Sequence, residues 1–443
     1  MWDIERITRK LYSSWQHRAQ RTYKQYLDSI TMEALMSELS IWTASARQLW
    51  RLSIRLTVGC EPSQCSALQF INMVKQAHFS LDELANIQNG YQESPMHGGT
   101  QQISQSLLKQ LVQQNKQLKV VMNHAVFRVD QTMNRECVVY YAPRVDQTAT
   151  DQSTSCPTIR SDDISLHSNK LQMDSVQQLS AKYVVSAVPL YVNGRYIEFQ
   201  PALPRRLSTV FTRCYQGGYY KGYAFFDECF WRKFGFSGEI VADSGNGPIA
   251  WAVHEDTEYV NENQEVLDRY WNGKKVYSLV GLCGGAPIYK WNEKTRQERQ
   301  DAYLQQLSLY FNKLIPAKQR NGEDLVKKHF VEFVECAWVD CGPFDIYPPG
   351  VGWNEFDTDS GDGQKAFIHR NVHFVSTNLG SSAAGYMEGA VSSGSEQGRI
   401  LFDRMYNGLQ MEWDHHGDEK EKEKDAATGG GVWRYTSLKK MLK

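Results

Sequence analysis

VHFVSTNLGSSAAGYMEGAVSSGSEQGRILFDRM, residues 372–405, is the stretch on which the architecture turns. Its first part, VHFVST (372–377), reads as a strand, rich in β-branched and aromatic residues. Glycine and small residues then lead into GYMEGAVSSGSEQGRILFDRM (385–405), a helix with small residues on one face. Far upstream, AKYVVSAVP (181–189) is an apolar run fit for a second buried strand. Between the two, from Ile197 to about Glu335, the pattern alternates. KGYAFF, GEIVA, PIAWAV and KVYSLVGL read as strands, and RQERQDAYLQQLSLYFNKL as an amphipathic helix.

The N-terminal part reads as helical over residues 1–58, with Thr31 and Thr43 as N-caps, and again over SALQFINMVKQ (66–76). His97-Gly98-Gly99-Thr100 suits a tight turn before a helix in QQISQSLLKQLVQQ. Three strand-like runs follow, LKVVM (118–122), AVFRV (125–129) and ECVVYYA (136–142), predicting a small antiparallel sheet. Residues 143–178 are polar and poor in aromatics, which predicts an exposed, poorly ordered insertion. The tail GDEKEKEKDAATGGG is low-complexity and reads as solvated.

Composition narrows the function classes. The 443 residues carry a net charge of -1, which argues against broad binding to nucleic acid or anionic lipid. Hydrophobic residues at 41% and charged residues at 22% are globular values that provide for a large core. Twelve Trp, 23 Tyr and 18 Phe serve either that core or an aromatic-lined ligand cavity. The cysteines at 60, 65, 137, 156, 214, 229, 283, 336 and 341 are odd in number and lack a CxxC pair. That pattern argues against a disulfide scaffold or a zinc site and fits a reducing intracellular compartment, with cytoplasm and mitochondrial surface both open. No signal peptide is visible, and no run of about eighteen apolar residues exists to span a membrane.

Six blocks, in order, resemble the flavin-containing amine oxidases, the monoamine oxidase group in particular. YLDSITMEALMSELSIWTASARQLW (26–50) is similar to the family's helical substrate-domain segment, and HGGTQQISQSL (97–107) to its GG-x-x-x-(I/V)-S block. AKYVVSAVP with IEFQPALP (197–204) resembles the segment crossing between its two domains. RCYQGGYYKGYAFFDECFWRK (213–233) resembles the segment holding its active-site lysine. IYPPG (346–350) resembles the loop after its flavin-attachment region, and GYMEGAV (385–391) is the most diagnostic short match.

The resemblance implies a two-lobed α+β or α/β fold whose chain crosses repeatedly between lobes. Residues 1–92 form the helical part of the substrate domain, 93–142 an FAD-domain segment and 143–178 the insertion. Residues 179–190 are the crossover strand, 191–349 the substrate domain, 350–405 the C-terminal FAD-domain segment and 406–443 a polar tail.

The activity it implies is FAD-dependent oxidation of a small amine to an imine or aldehyde, with oxygen reduced to hydrogen peroxide. Lys221 matches the lysine that reaches flavin N5 through a water, and Tyr386 one wall of the aromatic cage. Val126, Asn378, Gly385 and Met387 match cofactor positions, and Gln92, Leu56, Trp251, Leu282 and Phe344 substrate positions. No metal is implied, and a homodimer is left open.

Three departures stand beside these matches. The family's GxGxxG, which seats pyrophosphate on a helix N-terminus, is absent; GDG (361–363) and GGG (429–431) do not follow strands. Ser376-Thr377-Asn378 stands where the family has GTE, and Ala383 where it has Trp. Cys341 lies one step too early for the flavin-attaching cysteine, whose aligned place is Gly342; a one-residue gap would restore Cys341 to that role. Two further readings therefore stand beside the enzyme: an inactive relative that acts by binding, and a partial gene model of an active enzyme.

Overall fold

The computed structural model describes residues 20–39, 41, 43–76, 80, 99–133, 136–143, 171–242, 273–339, 345–351, 367–381 and 383–406. It adds short strands at 159–160, 251–254, 259–260, 266–267 and 270–271. The first described elements are four helices, α1 (Gln20–Ser29), α2 (Met32–Glu38), α3 (Ala44–Val58) and α4 (Ala67–Gln76). Thr31 and Thr43 cap α2 and α3 as expected, their hydroxyls accepting from Ala34 N and Ala46 N. Apolar residues at helical spacing, among them Trp50, Ile54, Val58, Phe70 and Ile71, form a first core. α3 ends at Gly59, whose φ of 79° is left-handed; a Cβ there would meet the Tyr219 ring at 2.3 Å.

Helix α5 (Gln101–Gln114) forms where expected but buries no residue. LKVVM does not become a strand: residues 118–122 are irregular, with Val120, Val121 and Met122 exposed. Strand propensity needs a ladder to act on, and among the described residues none lies beside this run. β1 (His124–Gln131) starts only after Asn123 turns the chain with φ 58°. It pairs with β2 (Cys137–Pro143).

The polar insertion is shorter at its end than its composition predicts. Residues 177–181 form a strand antiparallel to β2, from Cys137↔Ala181 to Tyr141↔Gln177. Ile159–Arg160 pair in parallel with Trp338 and Val339. In the 177–181 strand, ladder hydrogen bonds satisfy the backbone without a buried face, since 177–180 are all exposed. Residues 144–158 and 161–170 lie outside the described residues.

AKYVVSAVP and VHFVST do pair. β3 (Val184–Ser186) runs parallel to β4 (Val372–Phe374), and both end at the same edge. Their continuations diverge into helix α6 (Leu190–Arg195) and into a 3-10 turn at 377–379 leading to helix α7 (Met387–Tyr406). A second core gathers here, with Val129, Leu190, Phe199, Phe211, Tyr347, Phe367 and Phe374. The small residues of GYMEGAV act through Gly389: a Cβ would lie 2.3 Å from Thr377 O and 2.7 Å from Ala383 O.

The largest sheet has β5 (Tyr219–Phe226), β6 (Trp251–His254), β7 (Tyr277–Gly284) and β8 (Phe330–Val339) in the order β8-β5-β7-β6. Helix α8 (Arg296–Leu314), opened by a Thr295–Glu298 capping box, covers one face. Tyr303 sits where Gly222 and Gly281 leave room and donates to the Gly222 and Leu279 carbonyls, at 3.2 and 3.0 Å. Below them, Glu335 takes Arg299 in a two-pronged pair (2.8 and 2.6 Å) and the Tyr220 hydroxyl at 2.7 Å.

The close approach at Gly389 yields a test. Gly→Ala inside a helix ordinarily stabilises by about 1 kcal/mol, but here the methyl meets two carbonyl oxygens. Gly389→Ala is expected to lower stability by about 1–3 kcal/mol in chemical denaturation. An unchanged or raised midpoint would refute the packing of α7 on residues 377–383.

Candidate functional site

Because α8 occupies one face of the sheet, period-2 alternation sends every other residue to the opposite face. On β5 the residues toward α8 are Tyr220, Ala224 and Phe226, members of the helix-covered core. Tyr219, Lys221, Tyr223 and Phe225 point the other way. Register then places Lys221 opposite Leu282 on β7 and Cys336 on β8. The Cα of Trp251 pairs with that of Leu282, continuing the row onto β6. Three residues matched separately in the sequence, Lys221, Leu282 and Trp251, therefore stand in one register row.

Lys221 and Leu282 are half-buried, whereas Cys336 is buried. The Lys221 ammonium lies 5.0 Å from the Tyr223 ring centroid, and Tyr223 stacks with Phe225 at 6.4 Å. One step along β5, Tyr219 donates from its hydroxyl to Leu56 O on α3 at 3.3 Å. Burial pushes the Tyr219 phenol well above its usual value, and the charges of Cys60 and Tyr386 add in the same direction. Leu56, Tyr219 and Tyr386 thus gather on the Lys221 side of the sheet. Sequence reasoning missed Cys336 and Tyr219; register counting from KGYAFF across its neighbours was the signal that could have found them.

A second cluster joins the parallel strands to this sheet. Asp345, buried, accepts from Asn378 Nδ2 at 2.7 Å and from Gln216 Nε2 at 3.5 Å, and the Leu190 backbone N–H also points to it. Burial pushes its carboxyl up from 3.8 to about 6, against the pull of those three donors. Ser376 Oγ accepts from Asn378 N, and Gly385 N donates to Thr377 O at 2.9 Å, so the turn holding Asn378 is tied to the start of α7. Gly385 is buried with φ 91°, while Met387, the first residue of α7, is exposed. Behind the turn, burial lowers the His373 imidazole to about 4 despite its bond to Gln397 at 2.9 Å.

Val126 sits at a bulge in β1, partly buried against the second core. Gln92, Cys341 and Phe344 lie outside the described residues. No group of three metal-ligating side chains occurs among the described residues, and no described helix is long and apolar enough to cross a membrane.

The family described as flavin containing amine oxidoreductase matches residues 5–397. A probable flavin-containing monoamine oxidase A of Dictyostelium discoideum is 26% identical over 389 residues, covering 87% of this chain and 69% of that protein. Human amine oxidase [flavin-containing] B is 27% identical over 380 residues, covering 85% of this chain and 60% of that protein. The chain therefore spans roughly two thirds of the length of these curated relatives. Among solved structures, cyclohexylamine oxidase from Brevibacterium oxydans IH-35A superposes with a TM-score of 0.61 at 19% identity, over 90% of this chain and 74% of that one. A redesigned putrescine oxidase triple mutant gives 0.60 at 19%, over 88% and 70%.

Asp345 supplies a pH test. Its folded pKa lies above the unfolded value, so the folded state holds the proton more tightly and loses stability as pH rises from about 4 to about 6. Asp345→Asn removes that loss: it should be more stable than the parent at pH 7.5 by on the order of 1–3 kcal/mol and close to it at pH 3.5. An identical pH slope in both proteins would show that Asp345 is not buried as described.

Proposed function

The chain belongs to the flavin-containing amine oxidoreductase family, and from that premise we propose that it oxidises a small amine, with oxygen as electron acceptor. The observation that carries the reading is the register row at the centre of the large sheet, with Lys221 on the face opposite α8 and between Leu282 and Cys336. A lysine fixed among aromatic and apolar side chains can act on charge developing beside it.

FAD is the cofactor of this reading. What supports its fit is the donor and acceptor chemistry at the carboxyl ends of β3 and β4, where open α/β sheets bind ligands. Asn378, Gly385 and Met387 would border it there, and Val126 would meet its adenine portion. The lobes divide accordingly: the second core and the parallel strands belong to the cofactor, the first core and the large sheet to the substrate.

The bound flavin supplies the two-electron acceptor and the route to oxygen. The chain's own residues do the rest. Tyr386 would orient the amine through the face of its ring for transfer to the bound flavin. Leu56 and Leu282 would give the substrate an apolar wall, and the resemblance assigns Trp251, Gln92 and Phe344 to the same substrate. Lys221 holds a positive charge on the face opposite α8, beside the buried Cys336, where a partly desolvated setting strengthens its effect on negative charge forming during oxygen reduction. Cys341 would be the point of covalent attachment if a one-residue gap separates this loop from the family's.

Amine-dependent release of hydrogen peroxide by the purified chain tests the activity. Lys221→Met tests the assignment, because Met keeps roughly the length and removes the charge. In stopped flow it should slow the oxygen half-reaction by about 100-fold, a few kcal/mol of lost charge stabilisation, and leave the amine half-reaction within about threefold. If neither half-reaction changes, Lys221 is a structural residue and β5 does not face the flavin.

A further inference from the structure

The face of the large sheet opposite α8 is covered unevenly. Directly paired residues of an antiparallel sheet share a face, so Tyr219 on β5 and Gly284 on β7 form one row there, beside the row of Lys221 and Leu282. Tyr219 and Gly284 are buried, whereas Lys221 and Leu282 are half-buried, and so is Tyr223 beyond them. The end of α3 covers the first row. A Cβ on Gly284 would lie 2.2 Å from Arg55 O, and one on Gly59, which caps α3, 2.3 Å from the Tyr219 ring. A Cβ at Gly284 would also stand 3.4 Å from that ring, so the two glycines leave a slot that the ring fills. From the slot the hydroxyl donates to Leu56 O at 3.3 Å.

Three elements therefore meet at one side chain. β5 carries it, the last turn of α3 takes its hydroxyl proton, and Tyr386, just ahead of α7, is near enough for its charge to act on the phenol. We propose that Tyr219 is a specificity-determining residue: its ring, wedged between Gly59 and Gly284, closes the amine site at the α3 end and holds Leu56 there as the wall that limits how long a substrate the Lys221 row accepts. The inference rests on the functional reading above and narrows its substrate. With its proton given to the Leu56 carbonyl, the phenol has none to offer a ligand, and what it presents is ring. A hydrocarbon tail loses nothing against such a wall, whereas a tail ending in an acceptor would lose its water without a replacement donor. The favoured substrate is a primary amine with an apolar tail of limited length.

Peroxide release by the full chain with straight-chain primary amines of increasing length tests this, with the thermal midpoint measured alongside. The parent's kcat/KM should peak at one length and fall beyond it. Tyr219→Leu shortens the wedge and should move the peak to a longer amine. For the first amine beyond the parent's peak, kcat/KM should rise about tenfold, through KM, with kcat within about threefold. Tyr219→Phe keeps the ring and should keep the parent's order of amines. Should the leucine variant not fold, Tyr219→Met fills the slot with a flexible chain and must move the peak in the same direction.

A lowered thermal midpoint with the peak in its parental place would overturn the proposal, because the ring would then serve the fold alone. So would loss of the fold in both the leucine and the methionine variant, or an order of amines changed as much by Tyr219→Phe as by Tyr219→Leu. A parent protein that releases no peroxide with any amine overturns the functional reading, and the inference with it; a peak that stays in place overturns the inference alone.

Discussion

A sheet can bury only one face against a given helix, and in this protein that constraint decides where chemistry can occur. Tyr303 fits against Gly222 and Gly281 because neither has a Cβ, which draws α8 onto the even-numbered side of β5. The buried Glu335–Arg299 pair, with Tyr220 as a third partner, fixes the same side. Removing either charge alone would leave the other unpaired in low dielectric, so the helix-facing register is held firmly. A one-residue slip of β5 would carry Lys221 into the aromatic core and Tyr220 out of it. The face on which Lys221 lies is therefore a consequence of packing on the opposite face.

Asp345 plays the corresponding part for the turns. Burial of a carboxyl whose pKa rises to about 6 is unfavourable at neutral pH, so the fold sustains a cost there. Costs of that kind concentrate where a geometry is needed for something other than stability. The donors come from segments spread along the chain, Leu190 and Gln216 from its middle and Asn378 from its late part. Their convergence ties the parallel strands to the sheet that holds Lys221. The Gly389 contact performs the same service for α7, bringing Gly385 and Tyr386 against residues 377–383.

Much of this was legible in the sequence because local signals agreed with the global fold. RQERQDAYLQQLSLYFNKL is helical from its first residue to its last, since the capping box and the apolar stripe both specify it. The strand–turn–helix of residues 372–405 was equally readable. LKVVM failed because β propensity is a statement about neighbours, and no ladder among the described residues reaches it. The strand at 177–181 was hidden for the converse reason: it is mostly polar, 177–180 are exposed, and backbone pairing with β2 orders it. Lys221, Leu282 and Trp251 were found one by one, but their alignment in a row follows from a long-range register that no local pattern encodes. The Asp345–Asn378 bond joins residues 33 positions apart and has no motif at all.

The account stands or falls on whether this arrangement holds a flavin that an amine can reduce. The direct measurement is the visible spectrum of the purified chain after incubation with FAD and removal of free cofactor, followed by anaerobic addition of a small primary amine. The account predicts retained flavin bands that bleach on amine addition and return with air. A colourless protein, or one whose flavin bands ignore every amine offered, would contradict it.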